Sequence, residues 1–327
     1  MLPKLDRKLA VASTKNVNEI RETKNLRIAS LLPSATEIVS ALGLENNLVG
    51  ITHECDFPLQ VQNKPHLTAS RISHETMSSK EIDHAVRSQL DGHGSIYDLN
   101  ERLLHELQPD LILTQELCDV CAVSYKTVAR AAREYTADAK VVSLEPNTIS
   151  EIFDNVSFVG ELTGTQTRAE TVVADLQKRL AALEQKTANA ARPRVLMLEW
   201  LEPFFAPGHW VLEQVKFAGG DYSFGNLGKP STVTTIEAIA EYAPEKVVLI
   251  PCGYYIADIL RQYKETDFPV AWRDLPAVRS NEVWAVDATA YFSRPAPRVV
   301  DGAEILAKIL HPNIFGAPSE TEAVRVF

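Results

Sequence analysis

No stretch of this chain approaches the roughly 18 consecutive apolar residues of a membrane-spanning helix. The sequence therefore offers no membrane span. The first 24 residues lack an apolar core of about 7–15 residues and a small-residue cleavage site, and no cysteine stands early enough to carry a lipid anchor. These absences predict a cytoplasmic protein rather than a periplasmic one, with an organellar transit segment as the lesser alternative because acids are few there. Basic charge is short as well: 33 Lys and Arg stand against 43 Asp and Glu, a net charge of −10. A general nucleic-acid binder is basic, so that class is set aside. No G-x-G-x-x-G follows the first strand and no G-x-x-x-x-G-K-[ST] occurs, which removes the usual phosphate cradles. There is no G-x-S-x-G nucleophile elbow. There is no H-E-x-x-H zinc helix either, since His53-Glu54 runs on into Cys-Asp-Phe-Pro. No catalytic residue is assigned, and the chain reads as a binding protein rather than an enzyme. Short-period repeats, low-complexity tracts and flexible Gly/Ser linkers are also missing.

What is present is a strand–helix alternation over 327 residues, enough chain for two domains of ordinary size. Apolar runs at Leu26–Leu32, Leu48–Thr52, Asp110–Thr114 and Lys140–Leu144 read as strands, as do Arg194–Leu198, Lys246–Ile250 and Glu282–Val286. Ser34-Ala35-Thr36-Glu37 reads as a capping box, and Gly43 suits a left-handed helix end. Helices are predicted over Ser79–Leu90, Ile96–Leu107, Ser124–Tyr135, Val211–Ala218, Ile236–Ala240 and Val300–Leu310. From Thr167 to Lys186, Val173, Leu176, Leu180 and Leu183 step by three and four, marking one apolar face of a long helix. The alternation implies an α/β fold with mostly parallel sheets. The predicted organisation is an extension over 1–26, a first lobe over 27–160, a linking helix over 161–190, a second lobe over 191–312 and a loose tail over 313–327.

All four cysteines, Cys55, Cys118, Cys121 and Cys252, fall just after runs that read as buried strands. Loops at strand C-termini line the ligand crevice of α/β proteins, so one shared site is expected. Cys118-x-x-Cys121 at a helix start suits a metal, a redox disulfide or two inert buried thiols. Four thiolates suit zinc or an iron–sulfur cluster. Further candidates sit on the same loops. His53 and Glu54 precede Cys55, and Arg71 lies in the loop beyond. Glu199-Trp200 and His209-Trp210 pair aromatic rings with polar neighbours, as a flat, partly apolar ligand requires. Tyr291 and Arg294 follow the last strand, where Arg294 suits an anionic group or a carbonyl. Ser34, at the head of the first helix, completes the candidate ligand set.

Three phrases carry a resemblance across Arg27–Pro312. They are Arg27-Ile-Ala-Ser-Leu-Leu-Pro-Ser-Ala-Thr-Glu37, Leu107-Gln-Pro-Asp-Leu-Ile-Leu113 and Tyr242-Ala-Pro-Glu-Lys-Val-Val248. In this order they resemble the class III solute-binding proteins, which bind cobalamin and iron–siderophores. His53-Glu-Cys-Asp56, Leu117–Ser124, Glu199-Trp200, Gly208-His-Trp210, Pro251-Cys-Gly253 and Tyr291-Phe-Ser-Arg-Pro295 are similar to the branch labelled cobalamin-binding protein. The resemblance implies two Rossmann-like lobes joined by one rigid helix, with cobalamin or a related metal chelate between them. It implies an ABC permease as partner, docked through an acidic residue on each lobe, for which Glu75 and Glu81 are first-lobe candidates. The alternative reading is an intracellular zinc or iron–sulfur protein, built on the same fold and held by the four cysteines.

Overall fold

The computed structural model describes residues 25–70, 97–115, 128, 130–132, 134 and 139–327. In the N-terminal half the strands are β1 (Ile28–Ser30), β2 (Leu48–Gly50), β3 (Thr68–Ser70), β4 (Tyr97–Leu99), β5 (Leu111–Thr114) and β6 (Lys140–Ser143). β2, β1, β5 and β6 form a parallel sheet in that order, with Ile28 opposite both Leu48 and Leu111. β5 is buried along its whole length, as an apolar strand covered on both faces should be. β3 and β4 pair antiparallel beside this sheet.

The C-terminal half repeats the plan. Its strands are β7 (Val195–Leu198), β8 (Trp200–Leu201), β9 (Phe204–Ala206), β10 (Thr232–Val233), β11 (Lys246–Leu249), β12 (Val283–Val286) and β13 (Ala323–Arg325). β7, β11 and β12 run parallel, and β13 closes the edge antiparallel. A small antiparallel sheet, β10-β9-β8, stands beside it. Each main sheet carries its own core, so the protein is a two-lobed α/β fold.

The connection is a helix pair. Helix Ile149–Thr163 starts at Thr148, whose hydroxyl accepts the Glu151 amide, and ends at Gly164 with φ +70°. Helix Gln166–Thr187 then runs back along it. Ile149, Ile152 and Phe153 join Leu176, Leu180 and Leu183 in the second-lobe core. Val156, Val159, Leu162 and Ala169 sit in the first-lobe core. The pair therefore roots in both lobes. Gly160 permits the tight crossing, because a Cβ there would stand 2.6 Å from that of Ala169. The connecting element thus begins at Ile149, earlier than the expected 161, and its first helix went unread in the sequence.

Four local expectations are corrected. The first helix is Pro33–Ala41, with Leu32 as N-cap and no side-chain cap. Proline lacks the N–H that the first helical position leaves unsatisfied, so Pro33 takes that place and moves Ser34 inside the helix. Residues Ile96–Leu107 are not one helix: β4 occupies Tyr97–Leu99, and Asn100 caps Glu101–Leu107 by accepting the Leu103 amide at 3.0 Å. Glu199-Trp200 is not a loop, because Trp200 opens β8 and turns straight back to β9. The tail is not loose. β13 pairs with β12, Lys308 forms an ion pair with Glu322, and Arg325 reaches Glu282 at 3.0 Å. The predicted helix Ser79–Leu90 lies outside the described residues.

Candidate ligand cleft

The strand ends of the two lobes face each other. From β2 the first lobe sends His53–Asp56, and beyond β6 it sends the turn that holds Asn147 and Thr148. From β7 the second lobe sends Glu199, and beyond β12 it sends Asp287 to Arg298. Beyond the ion network on the floor, the lobes meet at two further places. The Glu213 carboxylate of the second lobe accepts the Ile149 amide at 2.6 Å, beside a loop in which Gly228 nears Thr148. At the other, Tyr97 of β4 packs against the second-lobe core while its hydroxyl donates to Glu54 at 3.0 Å.

The floor of the cleft is an ion network that crosses between the lobes. Arg298 grips Glu37 from two nitrogens, at 2.9 and 2.5 Å. Arg294 reaches Glu37 at 3.4 Å, hydrogen-bonds Asp56, and donates to the Glu54 carbonyl at 2.8 Å. Asp56 also accepts the Tyr255 hydroxyl at 2.6 Å. Glu37 and Arg294 are almost wholly buried. Burial pushes the Glu37 carboxyl above its ordinary value despite both arginines. Burial acts the same way on Asp56, but there the Arg294 and Tyr255 hydrogen bonds prevail and hold it below its ordinary value. Two carboxylates and two guanidiniums make the network neutral.

Two of the candidate residues, Trp200 and His209, carry a buried nitrogen without a hydrogen-bond partner. Trp200 meets Tyr254 edge-on at 5.6 Å, and its indole nitrogen is buried with no hydrogen-bond partner. The Glu199 carboxyl is pushed up by burial, against which the Ser231 hydroxyl acts more weakly. His209 adopts φ +47°, with its ring beside Trp210 and its Nδ1 buried without a partner. Burial lowers its pKa, which favours the neutral ring. Opposite, His53 is held through Nδ1 by the Thr68 hydroxyl at 2.8 Å, and its ring lies 5.6 Å from Tyr97. Burial, then the nearby His66, lowers the pKa of His53 too.

The other candidates serve the scaffold. Trp210 is packed in the second-lobe core and donates to the Phe292 carbonyl at 3.0 Å. Tyr291 ends a short helix, and its carbonyl accepts from the buried Gln214 amide at 2.9 Å. Ser34 is buried in the first helix. Arg294, expected to take an anionic group or a carbonyl, takes the Glu37 and Asp56 carboxylates and the Glu54 carbonyl. The sequence reading missed Glu37, Asp56, Tyr97, Tyr255 and Arg298. Two arginines four residues apart gave no sign of their partner across the chain, and Glu37 was read as half of a cap.

The four-thiolate site is not supported. Cys55 is buried in the first-lobe core, with Thr36 Oγ1 at 3.0 Å and Thr52 Oγ1 at 3.4 Å from its sulfur. Burial raises its pKa, which disfavours the thiolate a metal needs. Cys252 is exposed, while Cys118, Cys121 and Arg71, like Glu75 and Glu81, lie outside the described residues. Among the described residues no group of three His, Cys, Asp or Glu side chains could hold a metal ion. The zinc and iron–sulfur expectation is withdrawn on these grounds, and the intracellular metalloprotein with it.

The sequence profile of the family described as Periplasmic binding protein matches residues 28–290. The chain belongs to this family. An uncharacterized ABC transporter substrate-binding lipoprotein of Bacillus subtilis is 23% identical over 93% of this chain and 85% of its own length. A vitamin B12-binding protein of Vibrio cholerae is 25% identical over 85% of this chain and 86% of its own. Among solved structures, a periplasmic heme-binding protein of Pseudomonas aeruginosa superimposes with a TM-score of 0.65. It is 19% identical, covering 88% of this chain and 93% of that one. The cytoplasmic expectation is corrected by these matches. The family is described as Periplasmic binding protein and the Bacillus relative as a lipoprotein, which overturns the cytoplasmic expectation. The earlier inference rested on absences at the N-terminus, which weigh little against a match across most of the chain. No helix among the described residues is long and apolar enough to cross a membrane.

Proposed function

We propose that this protein is an ABC-transporter solute-binding protein that takes cobalamin, or a corrinoid like it, in the interlobe cleft and delivers it to a permease. The relatives leave two ligand classes in play, since one is a vitamin B12-binding protein and a structural neighbour binds heme. The commitment of Arg294 and Arg298 to Glu37 and Asp56 favours the corrinoid. Heme carries two carboxylates, which call for cations. The two arginines on the cleft floor are already neutralised by Glu37 and Asp56, and Glu54 adds further acid. A corrinoid is rimmed by amides, which accept and donate neutral hydrogen bonds. Trp200 Nε1, the neutral rings of His53 and His209, and the Glu199 carboxyl suit such a rim. Cobalt already held by its ring needs no protein thiolate, in keeping with the buried Cys55.

Titration with cyanocobalamin, followed by tryptophan quenching and calorimetry, tests this reading, with hemin and a ferric siderophore as competitors. Cobalamin binding at micromolar concentration or tighter is expected, with weaker competition from hemin. Tight hemin binding without cobalamin binding overturns it.

A further inference from the structure

Glu37 and Arg298 lie next to the elements that join the lobes. Helix Pro33–Ala41, which carries Glu37, packs on helix Ile149–Thr163. Helix Val299–Leu310, for which Arg298 is the N-cap, packs on helix Gln166–Thr187. The ion network therefore sits at the base of the cleft, against the connecting helix pair. It is graded in depth. The Glu37 side chain is 2% exposed and Arg294 7%, whereas Asp56 is 33% exposed, and Tyr255 stands at the surface.

We propose that the Glu37–Arg298–Arg294–Asp56 cluster is a non-covalent strut that ties the two lobes across the cleft floor and fixes their spacing before ligand arrives. Parting the lobes at the floor separates buried opposite charges and leaves each uncompensated in a dry environment, the costly way to break an ion pair. Relative motion is then confined to rotation about this line. Asp56 is the outer end of the strut, and Tyr255 beyond it, at the surface, is free to shift, while the width at the base is preset. The same contacts keep the charge of Arg294 and Arg298 from the ligand. The strut acts in the empty protein, so it stands or falls independently of the ligand assigned above.

The test is the distance between the lobes in the full-length protein without ligand. Spin labels on ketone-bearing side chains introduced at the exposed positions Asn63 and Lys264 read the distribution by pulsed electron resonance, leaving the native cysteines untouched. The quadruple variant Glu37→Met/Arg298→Met/Arg294→Met/Asp56→Asn removes the tie without leaving a buried charge alone, and a broader, longer-centred distribution is expected with near-ultraviolet dichroism retained. Arg298→Lys keeps the charge but loses the two-point grip, and an intermediate width is expected. Should the quadruple variant not fold, the lysine variant decides the matter. Arg325→Met, which breaks an ion pair within the second lobe, is expected to leave the distribution unchanged. A wild-type distribution in the strut variants, or equal broadening in Arg325→Met, overturns the strut.

Discussion

Arg298 holds Glu37 through two parallel hydrogen bonds, Nε to Oε2 at 2.9 Å and Nη2 to Oε1 at 2.5 Å, across 261 residues of sequence and between two lobes. This two-point geometry adds specificity to the charge pairing, and it joins the middle of helix Pro33–Ala41 to the N-cap of helix Val299–Leu310. Glu37→Leu leaves Arg294 and Arg298 facing a low-dielectric gap, a loss of about 3–5 kcal/mol of stability. Urea unfolding with an unchanged slope and a lowered midpoint is the expected reading. A midpoint equal to that of the wild type contradicts the buried network.

Trp200 separates stability from binding. Its indole nitrogen is buried and has no hydrogen-bond partner, a condition that already costs the empty protein free energy. Trp200→Phe removes the orphan donor and keeps an aromatic ring against Tyr254. Thermal melts of the empty variant are expected to match or exceed the wild type. Cobalamin affinity is expected to fall about tenfold, the worth of one buried hydrogen bond. Unchanged affinity removes Trp200 from the ligand site.

Gly208 sets the shape of the His209 loop. A Cβ there would stand 1.9 Å from the Lys229 carbonyl oxygen and 2.8 Å from the Pro230 carbonyl carbon, both backbone atoms that cannot step aside alone. The hydrogen bond from the His209 amide to the Lys229 carbonyl, 2.8 Å, holds the same two segments together. Gly208→Ala forces them apart, with an expected loss of about 1–3 kcal/mol, the usual range for overpacking. Cobalamin binding is expected to weaken along with it. Calorimetric melting and the same titration check both effects.

The parallel strands were legible because each is a short apolar run next to turn residues, and Val195–Leu198 and Lys246–Leu249 lie where those runs lie. Helix Gln166–Thr187 was legible from its three- and four-residue steps. Helix Ile149–Thr163 obeys the same rule, since Ile149, Ile152, Phe153, Val156 and Val159 step by three and four along one face, and it was passed over although the sequence carries its stripe. The candidate site was legible only as positions along the chain: His53 and Glu54 follow β2, Glu199 and Trp200 follow β7, and His209 follows β9. The floor was not: Glu37 and Arg298 become neighbours only when two lobes meet, and no spacing along a chain encodes that. Cys55 misled because a strand-end position says nothing of which way the side chain turns, and here it turns into the core.

Glu282 supports an acid-sensitive anchor for the C-terminal strand. Its carboxylate receives Trp284 Nε1 at 2.9 Å, Lys246 at 2.7 Å and Arg325 of β13 at 3.0 Å. Burial raises its pKa, but the Lys246 contact, the indole and Arg325 outweigh that and hold it below the ordinary 4.5. Glu322 is held low in the same way, chiefly by Lys308. A depressed acid stabilises the fold fully above its unfolded pKa and loses that contribution as pH falls through the folded value. Attachment of β13 is therefore expected to hold at pH 5 to 7, on the order of the neutral range, and to weaken below about pH 4. Hydrogen exchange at the Ala323–Arg325 amides, followed against pH, reads this directly. Glu282→Gln removes the carboxylate, so its β13 amides are expected to exchange faster already at neutral pH and to change less on acidification. If the variant shows the same acid profile as the wild type, the anchor does not depend on Glu282.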